Sequence, residues 1–256
     1  MKFVDEVITA TNTKNKNSKH SSGGIFVVKS RGIASGINLV AEILKKNNPK
    51  NILYVIKKDG DFINRGDGLI SVRGNYNDII KVKDTCQNLF SLTCGVSSTI
   101  LKYLNEIRDL DVKLLFQENM IPGIGEYWNE AIINSGCSII NHKDVYLDKN
   151  IWESEEEIHQ ILSEIDDDNI YVEVSNLVEF NALTISKCTH IVCVDFTLAD
   201  LEYVVENKNN KIIIAKNNMT FAGIRAIANK QIDYIIIKDF YSQMKFFDVE
   251  FKYFQN

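Results

Sequence analysis

The sequence has two prolines, no CxxC pair among its five cysteines, and no apolar run near the roughly 18 residues that cross a membrane. Its first residues, Met1 to Glu6, lack the apolar core of a secretory signal. A disulfide frame or a zinc site normally needs paired cysteines, so we interpret these thiols as reduced. We therefore predict a cytoplasmic protein without a membrane partner. The cysteines are Cys86, Cys94, Cys137, Cys188 and Cys193.

The sequence also has no excess of basic residues over acidic ones. The formal net charge is −5, and no stripe of lysines and arginines stands out. Nucleic-acid binding usually shows as such a stripe, so we expect no nucleic-acid partner. The hydrophobic share of 45% and the charged share of 25% are typical of a globular protein. A chain of 256 residues can form one large domain or two small ones.

The N-terminal part of the sequence predicts a mixture of strands and helices. Residues 11–22 are almost all polar, which favours a solvated loop; a basic contact arm is the alternative. The periodicity then predicts strands at 25–29, 52–56 and 69–73 and a helix at 36–46. This order of elements indicates an α+β sandwich, which we assign to residues 1–110.

A long helical pattern covers residues 76–108, with small residues around Cys94 and Gly95. We predict a break at these two residues that divides the pattern into two helices. Small side chains allow another element or a ligand to approach the backbone closely. Tight helix packing is the alternative explanation of the same small residues.

From Val112 onward, apolar strands alternate with amphipathic helices. The predicted strands are 112–116, 138–140, 170–174, 191–195, 211–215 and 234–238, and the helices are 127–135, 154–165, 177–187, 198–206 and 221–229. Fully apolar strands separated by helices are typical of a parallel sheet covered on its outer face. We predict an α/β barrel of reduced size over residues 111–243, and a strand within 244–256 that returns to the first domain.

Charged and polar residues follow the barrel strands, where α/β barrels form their active sites. Glu173 and Asp195 are our candidates for catalysis, because a carboxylate in an apolar strand is costly without a partner. Two such carboxylates could also hold Mg²⁺ together with a diphosphate ligand. In the alternative, each carboxylate pairs with a nearby lysine.

Other strand-end residues are candidates for ligand binding. Lys216, Asn217 and Asn218 lead into a predicted helix with Thr220 as its N-cap. A lysine beside a helix N-terminus suits a phosphate group. The remaining strand-end candidates are Glu118, Asn119, His142 and Lys143. A lone histidine in a loop is more often structural, and no serine or cysteine stands at motif spacing from His142.

The order of these segments resembles quinolinate phosphoribosyltransferase, also called nicotinate-nucleotide pyrophosphorylase, and its relative ModD. The likeness covers nearly the whole chain, and its strength lies in the collinear set, since each motif alone is weak. The matching segments are 29–36 for "GVxAG", 59–74 for "DGDxVxxGD…G", 94–98 for "SGIAT", 122–123 for the "TRKxxPG" turn, 173–174 for "EVE", 195 for "LDN" and 215–220 for "ASGGIT".

The resemblance implies an N-terminal sandwich and a C-terminal open α/β barrel. It implies a homodimer in which the first domain of one subunit caps the barrel of the other. The family reaction is a glycosyl transfer that joins quinolinate to phosphoribosyl pyrophosphate with Mg²⁺, releasing CO₂ and diphosphate. Arginines and lysines hold the carboxylates and phosphates in that reaction.

The sequence departs from the family pattern at these cations. The "TRK" triplet aligns with Gln117, Glu118 and Asn119, and the "ER" pair aligns with Lys83 and Asp84. Two arginines thereby become carboxylates, and a lysine becomes an amide. Each new like-charge contact near 4 Å would cost on the order of 4 kcal/mol at an effective dielectric of about 20. We therefore add Asp84 to the candidate ligand-binding residues and expect the dianion quinolinate to bind poorly.

Two hypotheses remain open at this point. In the first, the chain is an enzyme, or a former enzyme, that handles a phosphoribosylated or cationic small molecule. In the second, it is a catalytically inactive paralogue with a binding, regulatory or structural role. A fold alone does not decide between them.

Overall fold

The computed structural model describes residues 2–10, 21–118, 120 and 122–254. Asn119 and residues 11–20 of the predicted polar loop lie outside the described residues. The chain forms two compact units, of which the first comprises Met1–Leu101, Asn119–Gly136 and Met244–Asn256. The second comprises Lys102–Glu118 and Cys137–Gln243.

The first unit is a mixed α/β structure built on a four-stranded sheet. Its elements are α1 (Lys2–Ala10), β1 (Ser21–Val28), β2 (Gly32–Ile33), α2 (Ile37–Asn47), β3 (Ile52–Val55), β4 (Phe62–Ile63), β5 (Gly68–Asn75), most of α3 (Tyr76–Ile107), α4 (Gly125–Asn134) and β13 (Val249–Tyr253). The sheet has the order β13-β1-β5-β3 with antiparallel pairs. Its core packs the rings of Phe26, Phe90 and Phe251 together, because the apolar positions of the strands alternate toward α2 and α3.

The segment after β5 is one unbroken helix of 32 residues, so the predicted break at Cys94 and Gly95 is wrong. The small residues serve close packing instead. A side chain at Gly95 would put its Cβ 2.6 Å from the carbonyl oxygen of Lys245. Nearby, the Ser97 hydroxyl donates to the carbonyl oxygen of Ala131 at 2.8 Å. Close packing therefore explains the small-residue cluster. From the sequence alone, the same cluster is equally compatible with a break in the helix.

Helix α4 lies in the first unit, whereas the expected division assigns it to the barrel. Its side chains explain the difference. Ile124 and Tyr127 pack against the core of the first unit, and the ring of Tyr127 lies 5.7 Å from that of Phe3. The amide of Asn134 donates to the Ser35 hydroxyl at 3.0 Å.

The second unit is an open α/β barrel. Its further elements are β6 (Lys113–Gln117), β7 (Ser138–Ile140), β8 (Val145–Leu147), α5 (Glu155–Glu164), β9 (Ile170–Val174), α6 (Leu177–Leu183), β10 (His190–Val194), α7 (Leu198–Asn207), β11 (Ile212–Asn217), α8 (Ile224–Ala228), β12 (Tyr234–Ile237) and α9 (Phe240–Gln243). The seven strands have the order β7-β6-β12-β11-β10-β9-β8, and every pair is parallel. The fold class expected from the sequence is confirmed.

Local sequence signals account for several helix starts. The Ser154 hydroxyl accepts from the N–H of Glu157 at the start of α5. Thr197 and Asp200 form a reciprocal capping box at the start of α7. Helix α8 begins at Ile224, later than predicted, and the Thr220 hydroxyl accepts from the N–H of Gly223 at 3.1 Å in the turn that leads into it.

Strand β8 is absent from the sequence prediction, which has six barrel strands. It has only three residues and is followed by Asp148, so it shows little periodicity. Within the residues that the structure describes, no helix is both long and apolar enough to cross a membrane. All five cysteines are buried and free of disulfides.

Candidate active site at the barrel mouth

The carboxyl ends of the parallel strands in the second unit form one edge of the sheet, which we call the mouth. Glu118 follows β6, His142 and Lys143 follow β7, and Asp195 follows β10. Glu173 lies within β9, and Lys216 within β11. The fold thus places these predicted residues at the same end of one sheet.

Glu173 is the most buried carboxylate at the mouth, with a side chain that is 5% exposed. Its Oε1 accepts from the Lys216 ammonium at 2.6 Å and from the Tyr146 hydroxyl at 2.6 Å. Its Oε2 accepts from the backbone N–H of Lys149 at 3.2 Å. Three donors thus bind the buried carboxylate, which offsets the cost of burying it without partners.

Strand register brings this group together. In β9, β10 and β11, Val192 lies opposite Glu173, and Val194 lies opposite Lys216. Because side chains alternate across a strand, Glu173 and Lys216 point to the same face of the sheet and meet across β10. The Lys216 ammonium also lies 5.5 Å from the centre of the Tyr146 ring.

Tyr146 connects the mouth to an aromatic stack in the barrel. Its ring lies 6.2 Å from that of Tyr171, which stacks on the His190 ring at 4.0 Å. Burial, followed by the hydrogen bond to Glu173, raises the pKa of Tyr146 well above its usual range. Burial lowers the pKa of His190, so this imidazole favours its neutral form. Tyr146 is therefore a fixed hydrogen-bond donor.

Lys149 supplies a second lysine–carboxylate contact beside Glu173. Its ammonium lies 3.5 Å from Glu179 Oε1, 3.0 Å from the carbonyl oxygen of Trp152 and 4.0 Å from the centre of the Trp152 ring. The other oxygen of Glu179 accepts from the N–H of Ser175 at 2.8 Å. Lys149 is thus held by a carboxylate, a carbonyl and a ring face.

Asp195 forms a more exposed pair. Its Oδ2 accepts from the Lys238 ammonium at 2.5 Å, and the two side chains are 53% and 39% exposed. The backbone of Asp195 is left-handed, with φ of 56°, and its N–H donates to the carbonyl oxygen of Lys216. Aspartate tolerates this conformation better than most residues do.

Glu118 and His142 form a third contact at the mouth. The Glu118 Oε2 accepts from the His142 ring Nδ1 at 2.8 Å and from its backbone N–H at 2.7 Å. These two bonds, the ring contact first, hold the pKa of Glu118 below its usual value. Glu118 therefore stays ionised at neutral pH.

The remaining predicted residues have different surroundings. Asn217 donates its amide to the carbonyl oxygen of Phe196 at 3.0 Å, and its buried Oδ1 has no hydrogen-bond partner among the described residues. Asn218 and Lys143 are exposed. Asp84 lies in the first unit on the exposed side of α3 and pairs with Lys83.

Comparisons with known proteins agree with this architecture. Residues 8–94 match the family model for the N-terminal domain of quinolinate phosphoribosyl transferase. The putative pyrophosphorylase ModD of Pasteurella multocida is 20% identical over 77% of this chain and 72% of its own length. A probable carboxylating nicotinate-nucleotide pyrophosphorylase of Synechocystis is 22% identical over 87% of this chain and 80% of its own.

The solved nicotinate-nucleotide pyrophosphorylase of Francisella tularensis superimposes with a TM-score of 0.90 at 17% identity, over 99% of this chain and 95% of its own. The N-terminal part of the chain thus matches the quinolinate phosphoribosyl transferase model, and the whole chain has the fold of the nicotinate-nucleotide pyrophosphorylases. The structures of the Ehrlichia chaffeensis enzyme (TM-score 0.90, 13% identity, 99% and 98% covered) and of NadC from Streptococcus pyogenes (0.87, 15%, 99% and 98%) share this fold.

The reaction implied by the resemblance uses Mg²⁺, and Glu173 and Asp195 are the residues predicted to hold it. Both oxygens of Glu173 accept hydrogen bonds, and an ammonium occupies Asp195. The described ranges contain no group of three or more histidine, cysteine, aspartate or glutamate side chains that could hold a metal. This arrangement does not fit a protein-held magnesium ion. Magnesium at these two residues stays a prediction, and it would require the lysines to move.

The structure also shows mouth residues that are not among the site candidates chosen from the sequence. Tyr146, Lys149 and Lys238 all contact the predicted carboxylates or their neighbours. The position of Lys238 could be predicted from the sequence, because a lysine directly after an apolar barrel strand lies at the mouth by topology alone. The role of Tyr146 could not be predicted from the sequence. Its partner Glu173 is 27 residues away, and β8 is too short for its pattern to show which side chains face the barrel interior.

Proposed function

We propose that this phosphoribosyltransferase-family protein binds a small phosphoribosylated or otherwise altered ligand at its barrel mouth, and that it does not use quinolinate. The observation that carries the proposal is the state of the charges at the mouth. Lys216 is already paired with the buried carboxylate of Glu173. Glu118, which aligns with a family arginine, remains an anion.

Quinolinate is a dianion, and its recognition requires cations that are free to bind it. Each charged hydrogen bond that is lost costs about 1.5–3 kcal/mol, and a carboxylate in place of a cation adds repulsion. Asp84, Glu118 and Asn119 together would weaken quinolinate binding by several orders of magnitude, since about 1.4 kcal/mol is a factor of ten. A ligand with fewer carboxylates, or with a cationic group facing Glu118, avoids this cost.

The test is a turnover assay with quinolinate, phosphoribosyl pyrophosphate and Mg²⁺. We expect no useful conversion by the natural protein and a measurable gain in the triple variant Asp84→Arg, Glu118→Arg, Asn119→Lys. The triple variant raises the formal charge by five, and Glu202→Arg, in an exposed pair on α7, controls for two of these units. Robust turnover by the natural protein contradicts both the proposal and the alignment of these three positions.

A second candidate function is a catalytically inactive binding or regulatory protein. It is favoured by the pairing of both proposed catalytic carboxylates with lysines. This pairing is the alternative to a metal or catalytic role that we stated from the sequence. A thermal-shift screen with phosphoribosyl pyrophosphate, nicotinate mononucleotide and quinolinate separates the two functions. Stabilisation by a ligand that is then never converted favours the inactive protein, because any ligand of the native state raises stability by mass action.

We further propose that the protein works as a homodimer. Large apolar side chains are exposed on β3 and β4, with Tyr54 at 57% and Phe62 at 61%. Several large apolar side chains exposed together on one strand, as on β3, often mark a protein contact. Light scattering at micromolar concentration should give twice the chain mass of 29.2 kDa, and Tyr54→Asp should shift the population toward the monomer. A single-chain mass for the natural protein would refute this assembly.

A further inference from the structure

Two of the lysine–carboxylate pairs at the mouth differ sharply in burial. The Glu173 and Lys216 side chains are 5% and 16% exposed. The Asp195 and Lys238 side chains are 53% and 39% exposed. The same two charge types therefore stand in different dielectric surroundings within one barrel.

The difference in burial determines which of the two ion pairs can separate at low cost. Removing Lys216 from Glu173 would leave a charge in the barrel interior without compensation, which is strongly unfavourable. Separating Lys238 from Asp195 returns both groups to water, and exposed pairs of this kind add little to stability. Lys216 is thus a fixed part of the barrel, whereas the Lys238 ammonium can change partners.

Hydrogen bonds fix the backbone around the exposed pair, whereas the Lys238 ammonium is bound, among the described residues, only through its exposed contact with Asp195. The N–H of Lys238 donates to the carbonyl oxygen of Asn217 at 3.0 Å, and the N–H of Asp195 donates to that of Lys216 at 3.0 Å. The amide of Asn217 also holds the carbonyl oxygen of Phe196. Only the four-carbon stem of Lys238 must rotate for its ammonium to leave Asp195.

We propose that Lys238 is the exchangeable anion-binding residue of the mouth, that its ligand group is a phosphate ester or diphosphate, and that Asp195 is its internal competitor. In the ligand-free protein, the Asp195 carboxylate occupies the ammonium. An incoming phosphoryl group takes the ammonium and returns Asp195 to solvent. This inference rests on the proposed ligand class and adds a residue and an order of events to it.

The competition predicts opposite effects for the two members of the pair. Asp195→Asn removes the competing charge and keeps a side chain that tolerates the left-handed backbone. It should tighten the binding of inorganic pyrophosphate about two- to fivefold, the range that corresponds to an exposed ion pair. Lys238→Gln should weaken it about tenfold, through loss of a charged hydrogen bond. Isothermal titration with pyrophosphate in metal-free buffer measures both effects.

A matched control separates competition from net charge. Glu202→Gln makes the same change in charge as Asp195→Asn, in the exposed pair that Glu202 forms with Lys230. It should leave pyrophosphate affinity nearly unchanged. The double variant Asp195→Asn, Lys238→Gln should bind like Lys238→Gln alone, because the gain requires the freed lysine.

Several results would overturn the inference. Weaker binding by Asp195→Asn would show that this carboxylate assists the ligand instead of competing with it. A gain equal to that of Glu202→Gln, or one that persists in the double variant, would exclude exchange at Lys238. If phosphoribosyl pyrophosphate stabilises the natural protein while pyrophosphate binding ignores Lys238, the exchange fails and the proposed function stands. If neither compound binds, both fail.

Discussion

Lys216→Met tests the idea that the barrel interior depends on a compensated charge. The substitution removes the ammonium that lies 2.6 Å from Glu173, whose side chain is 5% exposed. Breaking a buried ion pair in this way typically costs about 3–5 kcal/mol. The hydroxyl of Tyr146 and the N–H of Lys149 still donate to the carboxylate, so we expect the lower end, about 3 kcal/mol.

Urea unfolding measures this loss, with tryptophan fluorescence as the signal. Trp152 is 2% exposed and lies beside Lys149, so its emission should change when this part of the barrel opens. A loss of about 3 kcal/mol corresponds to a fall in Tm of roughly 6–12 °C for a protein of this size. The midpoint should fall without a large change in the slope of the unfolding transition.

Two further variants control the interpretation. Lys238→Met breaks the half-exposed pair with Asp195 and should cost less than about 1 kcal/mol. The double variant Lys216→Met, Glu173→Gln removes both charges and should recover much of the stability, because no uncompensated ion remains. If Lys216→Met were as mild as Lys238→Met, or the double variant no better than the single one, the buried pair would not carry the stability we assign to it.

The remaining predictions concern packing and acid stability. Gly95→Ala should lower the free energy of unfolding by about 1–2 kcal/mol despite the better helix propensity of alanine, because its Cβ would lie 2.6 Å from the carbonyl oxygen of Lys245. An unchanged urea midpoint would contradict this. The Arg225 guanidinium holds the pKa of Asp109 at about 2, so their bond stabilises the fold above the unfolded pKa near 4 and is lost as the pH falls through about 2. In Arg225→Gln, carboxyl NMR should find the pKa of Asp109 closer to 4; an unmoved titration would exclude the guanidinium as the cause.

The barrel could be predicted from the sequence because its strands are buried on both sides. All five residues of β9 are buried, and a short apolar run between helices is a local pattern that one chain displays by itself. The break expected at Gly95 shows the limit of local patterns. A glycine that weakens a helix and a glycine that admits a neighbouring backbone look alike, and only the position of Lys245 distinguishes them.

Individual site residues could be predicted from topology, but not their partners. Glu173 and Lys216 were recognised as strand-end residues, whereas their contact depends on the register across β10. Tyr146 joins the same carboxylate from a strand too short to be recognised. The assignment of Glu173 and Asp195 to catalysis, and of Asp84, Asn119 and the other strand-end residues to ligand binding, stays a prediction.

The last strand of the chain has a consequence for how the protein is made. Strand β13 pairs along β1, Phe251 lies opposite Phe26, and the ring of Phe251 belongs to the first core. During synthesis on the ribosome, the sheet of the first unit therefore lacks one edge strand. It cannot be completed until residues 249–253 are synthesised. At about 5–20 residues per second, this delay is roughly 9 to 36 seconds after β5 has emerged. During that time β1 exposes an unpaired edge, so we expect a nascent or C-terminally shortened chain to need a chaperone that the finished protein does not.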